Sequence, residues 1–268
     1  MNRRQGELKR CLLTSLSVIV ITKNEAHNIE ACLRSVHFAD QVVVLDSGST
    51  DETLQLASKL GAEVSVNTQW QGFGVQKNRA LALANSQWVL SMDADERLSV
   101  ELQFEIQKVL ENPVADAYCF PRLSSYCGQY IRHSGWYPDH VTRLFRHDAA
   151  RFSDDIIHEK LVVNGQVRQL RSRLLHESFQ NFETVLDKID RYSTAGAQSL
   201  LCKGRTSSVP KALGHGLWAF IRTYFLQMGF LDGWMGLALA ISNAEGTYYR
   251  YLKLWLLLLD RKAASSPP

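Results

Sequence analysis

The sequence predicts an α/β protein: a mainly parallel, Rossmann-like sheet with flanking helices, followed by amphipathic C-terminal helices. Three observations predict it. Short β-branched runs alternate with amphipathic stretches from Ser15 to about Pro121, the pattern of parallel strands joined by crossover helices. Three of those runs end in polar or acidic clusters, where a doubly wound sheet binds its ligands. From Lys211 onward the chain turns apolar and aromatic with interspersed Arg and Lys, which suits helices bearing one apolar face.

Strands are expected at Leu16–Ile21, Gln41–Leu45, Glu63–Val66, Trp88–Met92 and Ala117–Phe120. Between the first two, Ile29, Leu33 and Val36 recur at helical spacing. Ser49 followed by Glu52 reads as a capping box opening a second helix with Leu54, Ala57 and Leu60 inward, closed by Gly61. A third helix is expected over about 75–84, and Ser99 caps a fourth through Leu102, Ile106 and Leu110. Residues 122–177 lack clear periodicity and read as loops and short mixed strands covering a sheet edge, a usual place for sites. A long helix at about 182–201 and a hinge-like Lys203–Pro210 follow. The division expected is a catalytic domain over 1–202, with a nucleotide half at about 15–121 and an acceptor half at about 122–202, and a helical segment over 203–268.

At 268 residues and 46% hydrophobic content the chain can bury a full core. Its net charge of +3 is too small for the basic field of a nucleic-acid binder, so no nucleic-acid partner is expected. Charge is unevenly placed: from Lys203 on, eight Lys/Arg face three Asp/Glu, against 22 and 24 before it. Five cysteines without a C-x-x-C point to neither a disulfide framework nor a cysteine zinc site. Arg3, Arg4, Lys9 and Arg10 before the apolar run Leu12–Ile21 imitate a secretion signal, but the run ends in Thr22-Lys-Asn-Glu25 without a small-residue cleavage pattern. It reads as a buried first strand of a cytoplasmic protein.

The tail carries Trp218, Phe220, Tyr224, Phe225, Phe230 and Trp234 among Arg222, Arg250, Lys253 and Arg261, while charges keep any apolar stretch short of the ~20 residues of a spanning helix. Helices lying in a membrane interface are expected, with packing on the α/β layer or self-association into a homo-oligomer as the alternatives.

The strand-end clusters are Thr22-Lys-Asn-Glu25, Asp46-Ser-Gly-Ser-Thr-Asp51 and Asp93-Ala-Asp-Glu96. No G-x-G-x-x-G follows the first strand and no G-x-x-x-x-G-K-[ST] occurs, which disfavours dinucleotide oxidoreductases and P-loop nucleotidases. Asp93 and Asp95, one residue apart after a buried strand, can hold a hard divalent cation against diphosphate oxygens. With Ser49 in the cap role, Asp46 is left to meet a base or ribose; an Asx turn is its bland alternative.

Order and spacing of these three clusters together resemble the family 2 glycosyltransferases of GT-A fold. Trp136-Tyr-Pro138, Arg143-Leu-Phe-Arg146, His158-Glu159 and Asn243-Ala-Glu-Gly-Thr-Tyr-Tyr249 extend the resemblance to the lipopolysaccharide inner-core β-1,4-glucosyltransferases. The resemblance implies a UDP-sugar donor, with Thr22, Asn24, Glu25 and Asp46 around uridine, Asp93 at the ribose, and Asp95 ligating Mg²⁺ or Mn²⁺. It further implies Lys77 and Arg79 near the nucleotide, with a solvated helix face as their alternative, Arg143 beside phosphate charge, and His176 as a second metal ligand. Arg146 is expected to face water.

Inversion needs one carboxylate to take the acceptor hydroxyl proton as its oxygen attacks. Asp154, Asp155 and Glu159 are the candidates; the family's His-Glu motif puts Glu159 first and Asp155 second. Val162 stands where a zincin would need its second His. The expected reaction is transfer of a hexose, glucose first, from UDP-sugar to a heptose of a lipid-anchored lipopolysaccharide core at the inner membrane face. A transferase for another lipid-linked glycan, and a noncatalytic nucleotide-sugar-binding membrane scaffold, are the alternatives.

Overall fold

The computed structural model describes residues 14–153 and 159–265. They form two compact units: one holds the chain up to Arg122 together with Asp139–His176, the other Leu123–Pro138 and everything from Glu177. The division expected after residue 202 is not the one observed, because the long helix there groups with the C-terminal helices.

In the first unit, β1 (Leu16–Thr22), β2 (Gln41–Asp46), β3 (Glu63–Val66) and β4 (Trp88–Asp93) are parallel in the order β3-β2-β1-β4. Helices α1 (Ala26–Arg34), α2 (Thr53–Lys59) and α3 (Phe73–Leu81) are the crossovers. Every residue of β1 is buried, as a central strand covered on both faces requires, and this is why its sequence runs apolar without alternation. Side chains of successive strand residues point to opposite faces. Val18 and Val20 therefore pack in one cluster with Ile29, Leu33, Leu102 and Ile106, and Ile19 and Ile21 in another with Ala80, Leu81 and Phe145.

β5 (Glu96–Leu98) and α4 (Val100–Glu111) follow, with Ser99 accepting from the Leu102 N–H as its N-cap. β6 (Ala117–Tyr126) is longer than its expected run and continues into the second unit, where a Cys127-Gly128 turn with both φ positive returns it to β7 (Gln129–Tyr130). β8 (Asp139–Arg146) joins β4 and β6 antiparallel. β9 (Ala150–Phe152) pairs with β10 (Leu161–Val163), β11 (Val167–Gln169) with β6, and β12 (Leu174–Phe179) antiparallel with β5.

Two sequence expectations fail locally. The Ser49–Glu52 capping box does not form: Glu52 itself occupies the N-cap position of α2 without a side-chain bond, and the Ser49 hydroxyl donates to Asp46. The helix expected over 75–84 begins at Phe73, after Gly72 with φ 107°, and stops at Leu81.

The start of α3 packs so closely on the strand after it in space that a Cβ on Gly74 would lie 1.9 Å from the Ser153 carbonyl oxygen. One turn on, the Asn78 amide accepts from the Phe152 N–H and donates to the Phe152 carbonyl, each at 2.9 Å, standing in for a neighbouring strand on β9.

The second unit contains α5 (Phe182–Cys202), α6 (Val209–Ile221), a π-helical turn over Arg222–Leu226, a 3₁₀ turn over Gly229–Asp232, and α7 (Gly233–Ser265). Asn181 and Ser208 cap α5 and α6 through Thr184 and Lys211 N–H groups. α6 approaches α7 through small residues: a Cβ on Gly216 would stand 3.1 Å from the Tyr248 Cβ. Asp232 accepts from the Arg132 and His133 N–H groups and the Ser134 hydroxyl, tying the turn after β7 to the 3₁₀ turn. Among the described residues no single helix is long and apolar enough to cross a membrane.

Because Asn78 satisfies two backbone groups of β9, Asn78→Ala strands both. Urea unfolding should show a loss of about 1–3 kcal/mol; an unchanged midpoint would mean that β9 does not depend on this amide.

Candidate active site

The parallel register sets the ends of three strands side by side. Thr22 of β1 stands opposite Asp46 of β2, and Ile21 opposite Asp93 of β4. Thr22 closes β1 with its hydroxyl buried and without a hydrogen-bond partner among the described residues.

Asp46 is fully buried, and its carboxylate is spent on its own turn: Oδ1 accepts from the Gly48 and Ser49 N–H groups at 2.7 Å, and Oδ2 from the Ser49 hydroxyl. The Asx turn, not a free carboxylate, is what the sequence builds here. Asn24, at φ 55°, accepts through Oδ1 from the Thr50 N–H at 2.8 Å and so ties the loop after β1 to the loop after β2. Glu25 accepts from the Asn28 amide at 2.9 Å. Burial pushes the Glu25 carboxyl above its ordinary value against that hydrogen bond, and the negative charge of Asp95 adds to the rise.

Lys77 is not on a solvated helix face; it is 4% exposed. Its ammonium lies 3.0 Å from Asp93 Oδ1 and 3.1 Å from Glu159 Oε1, bridging the end of β4 to the segment after β9. Arg143 of β8 donates to Asp93 Oδ2 at 2.5 Å and to Glu96 Oε1 at 2.6 Å. Glu96, wholly buried, also accepts from the Asp93 N–H at 3.0 Å and from Arg122 at 3.3 Å, and Arg122 reaches Asp139 at 2.6 Å. Burial alone would disfavour the charged form of Asp93, but the Arg143 and Lys77 cations outweigh it and hold the carboxyl well below the usual carboxylate range. Arg143 is kept above its ordinary value: burial opposes its charge, and Asp93 and Glu96 more than compensate.

Asp95 faces another partner. β12 pairs with β5 so that His176 stands opposite Glu96, which brings His176 Nε2 within 3.3 Å of Asp95 Oδ2. Two ligands held in adjacent positions of an octahedral cation at ~2.1 Å each would lie ~3 Å apart, so the spacing fits two corners of such a site. The pair offers a carboxylate oxygen, the donor Mg²⁺ and Mn²⁺ prefer, beside an imidazole nitrogen that softer divalent ions take more readily. Among the described residues no group of three or more His, Cys, Asp or Glu is arranged around a metal position.

Arg79 is committed to the 67–71 loop, donating to Asn67 Oδ1, the Gln69 carbonyl and Gln71 Oε1, so its guanidinium organises that loop. Arg146 sits over the Trp88 ring at 5.1 Å while remaining partly exposed. Asp155, with Asp154 and His158, lies outside the described residues. The sequence reading gave Glu96, Arg122 and Asn78 no role. Glu96 had a signal, being the fourth residue of the acidic strand-end cluster; Arg122 and Asn78 are joined to their partners only by tertiary folding.

Strand-end carboxylates beyond a parallel sheet, with an imidazole beside one of them, stand where a doubly wound α/β fold places its ligand site. The model of glycosyl transferase family 2 matches residues 17–168, and the chain belongs to that family. Its mainly parallel sheet with flanking helices is of the GT-A type. The chain is 31% identical over 255 residues to the uncharacterized glycosyltransferase RP128 of Rickettsia prowazekii, covering 90% of this chain and 87% of that one. It is 28% identical to the lipopolysaccharide core biosynthesis glycosyltransferase LpsC of Rhizobium meliloti, covering 88% and 93%. Among solved structures it is similar to S. aureus TarS 1-349 in complex with UDP-GlcNAc, with TM-score 0.48, 17% identity, and coverage of 93% and 92%.

Asp93 ionises more readily folded than unfolded, where its pKa is ~3.9. It therefore contributes stability that is fully present above that value and is lost as pH falls below it towards the lower folded pKa. Thermal melts from pH 6 to pH 2 should show a shallower acid limb for Asp93→Asn than for the parent; parallel limbs would refute the assignment.

Proposed function

We propose that this family 2 enzyme is an inverting transferase that moves a hexose, glucose first, from a UDP-sugar to a lipid-anchored glycan of the lipopolysaccharide core type. The observation that carries the donor half is the Asp95–His176 pair beside the β1 and β4 strand ends. The likeness to LpsC supports the acceptor class.

Asp95 and His176 would hold Mg²⁺ or Mn²⁺, which neutralises charge on the departing nucleoside diphosphate. Thr22 and Glu25 line the nucleotide side at the end of β1, Thr22 with a buried hydroxyl available to a ligand. Asn24 and Asp46 act there through the loops they hold together. Lys77 and Arg143 fix Asp93 in its ionised form, where it can accept from a ribose hydroxyl. Glu159 receives the acceptor hydroxyl proton as that oxygen bonds to the anomeric carbon and the diphosphate oxygen leaves from the opposite face. Lys77 holds Glu159 in position for that transfer.

Titration calorimetry with UDP, GDP and ADP, with Mn²⁺ or EDTA, tests this reading. Uridine-selective, metal-dependent binding should disappear in Asp95→Ala. Glu159→Gln should keep it and lose turnover by about 10²–10⁴-fold. Binding indifferent to base, metal and Asp95 would overturn the donor assignment.

The second unit supports placement at the inner face of the cytoplasmic membrane. Leu213, Leu217 and Trp218 line the exposed side of α6, Phe225 and Phe230 stand out from the turns, and Trp234 is 85% exposed. Such an apolar and aromatic set, in the basic part of the chain, suits an anionic bilayer interface. Sedimentation with phosphatidylglycerol vesicles should bring down the parent chain and much less of Phe230→Ser with Trp234→Ser; equal sedimentation of both would remove the membrane assignment and favour self-association.

A further inference from the structure

A cavity of about 400 Å³ lies wholly within the second unit. Tyr126, Trp136 and Phe179 form its aromatic wall; the Trp136 and Phe179 rings stack at 5.7 Å and 26°. Lys188, Arg222 and Arg250 also line it, and its lining includes no Asp or Glu.

The cations are not equivalent. Lys188 is engaged, donating to the Ser178 carbonyl at 2.8 Å with its ammonium 4.2 Å from the Phe179 ring centroid. Neither guanidinium has an ion-pair partner among the described residues, and the buried Nε of Arg250 lacks any hydrogen-bond partner there. Leaving a buried donor of a charged group unmet costs free energy that a ligand anion would return.

Local structure makes room for these groups. Arg250 on α7 lies against Gly196 of α5, where an added Cβ would stand 2.7 Å from its Nε. Gln227 similarly crosses Gly135, where a Cβ would come within 2.4 Å of the amide nitrogen. Arg222 and Thr223 enter the lining from the π-helical turn, whose widened backbone closes with the Gln227 N–H on the Arg222 carbonyl at 2.8 Å. A π-helical turn is less stable than a continued α-helix and recurs at functional sites.

We infer that this cavity binds a monosaccharide unit carrying an anionic group, phosphate or carboxylate, with the anion on Arg222 and Arg250 and a sugar face on the aromatic wall. The forks of two arginines suit either oxyanion. The negative faces of the rings suit the C–H side of a sugar, and the amides of Gln227 and Asn243 and the Thr247 hydroxyl supply partners for its hydroxyls. Naming that unit as part of the acceptor glycan rests on the proposed function; the chemistry of the cavity does not.

Saturation-transfer NMR on the full chain, with Mg²⁺ and saturating UDP to occupy a donor site, compares glucose 6-phosphate, glucuronate and glucose. Transfer to at least one anionic sugar and far less to glucose is expected, and the responding arm identifies the anion. Arg222→Gln and Arg250→Gln should each weaken it by roughly tenfold or more, with UDP affinity unchanged as the check on folding. No transfer to either anionic sugar, equal transfer to glucose, or transfer surviving both substitutions would overturn the inference. Sugar binding that persists in a chain unable to bind UDP would leave the cavity standing while removing the donor reading.

Discussion

The first unit is organised around one buried ammonium. Lys77 comes from a helix, Asp93 from a strand end and Glu159 from a segment far along the chain, yet all three meet within 3.1 Å. Taking a cation out of water is costly, and here two carboxylates offset the loss. Arg143 and Glu96 extend the same alternation of charge beneath Asp93, so each buried charge has an opposite neighbour. Lys77, Asp93, Arg143 and Glu96 each meet two opposite charges, whereas Glu159 meets the Lys77 cation alone in this chain of pairs, so Lys77 couples the shape of the site to the sheet behind it.

The candidate metal pair is kept apart from that network by strand register. Asp93 and Asp95 are separated by one residue, but Asp93 meets Lys77 and Arg143 while Asp95 meets His176. The short D-x-D sequence thus divides two tasks, charge balance on one carboxylate and candidate metal binding on the other. His176 reaches its place because β12 returns antiparallel to β5, a pairing that spans about eighty residues of sequence.

The parallel layer was legible because both sheet faces are covered, which leaves continuous β-branched runs and clear helical stripes. Strands β1 to β4 lie within a residue of their expected ends, and Ser99 caps its helix as read. Polar chemistry was less legible. A side chain such as Asp46 looks the same in sequence whether it faces a ligand or closes its own turn, and only the geometry of the Gly48 and Ser49 N–H groups decides. Arg79 shows the same ambiguity: its charge suggests phosphate, and its guanidinium is bonded to the 67–71 loop. The aromatic cavity of the second unit escaped notice because its walls come from three distant stretches that show no common period.

Gly74 carries a consequence for comparing this chain with its relatives. Contact with the Ser153 carbonyl leaves no volume for any larger residue, so the helix start is fitted to Ser153 and to the Glu159 Cβ. In a homologous sequence, a side chain at that position would signal a rerouted backbone there, and a carboxylate aligned with Glu159 by sequence alone would no longer share its location. The glycine therefore serves as a marker of equivalence: where it is replaced, the counterpart of Glu159 has to be sought anew.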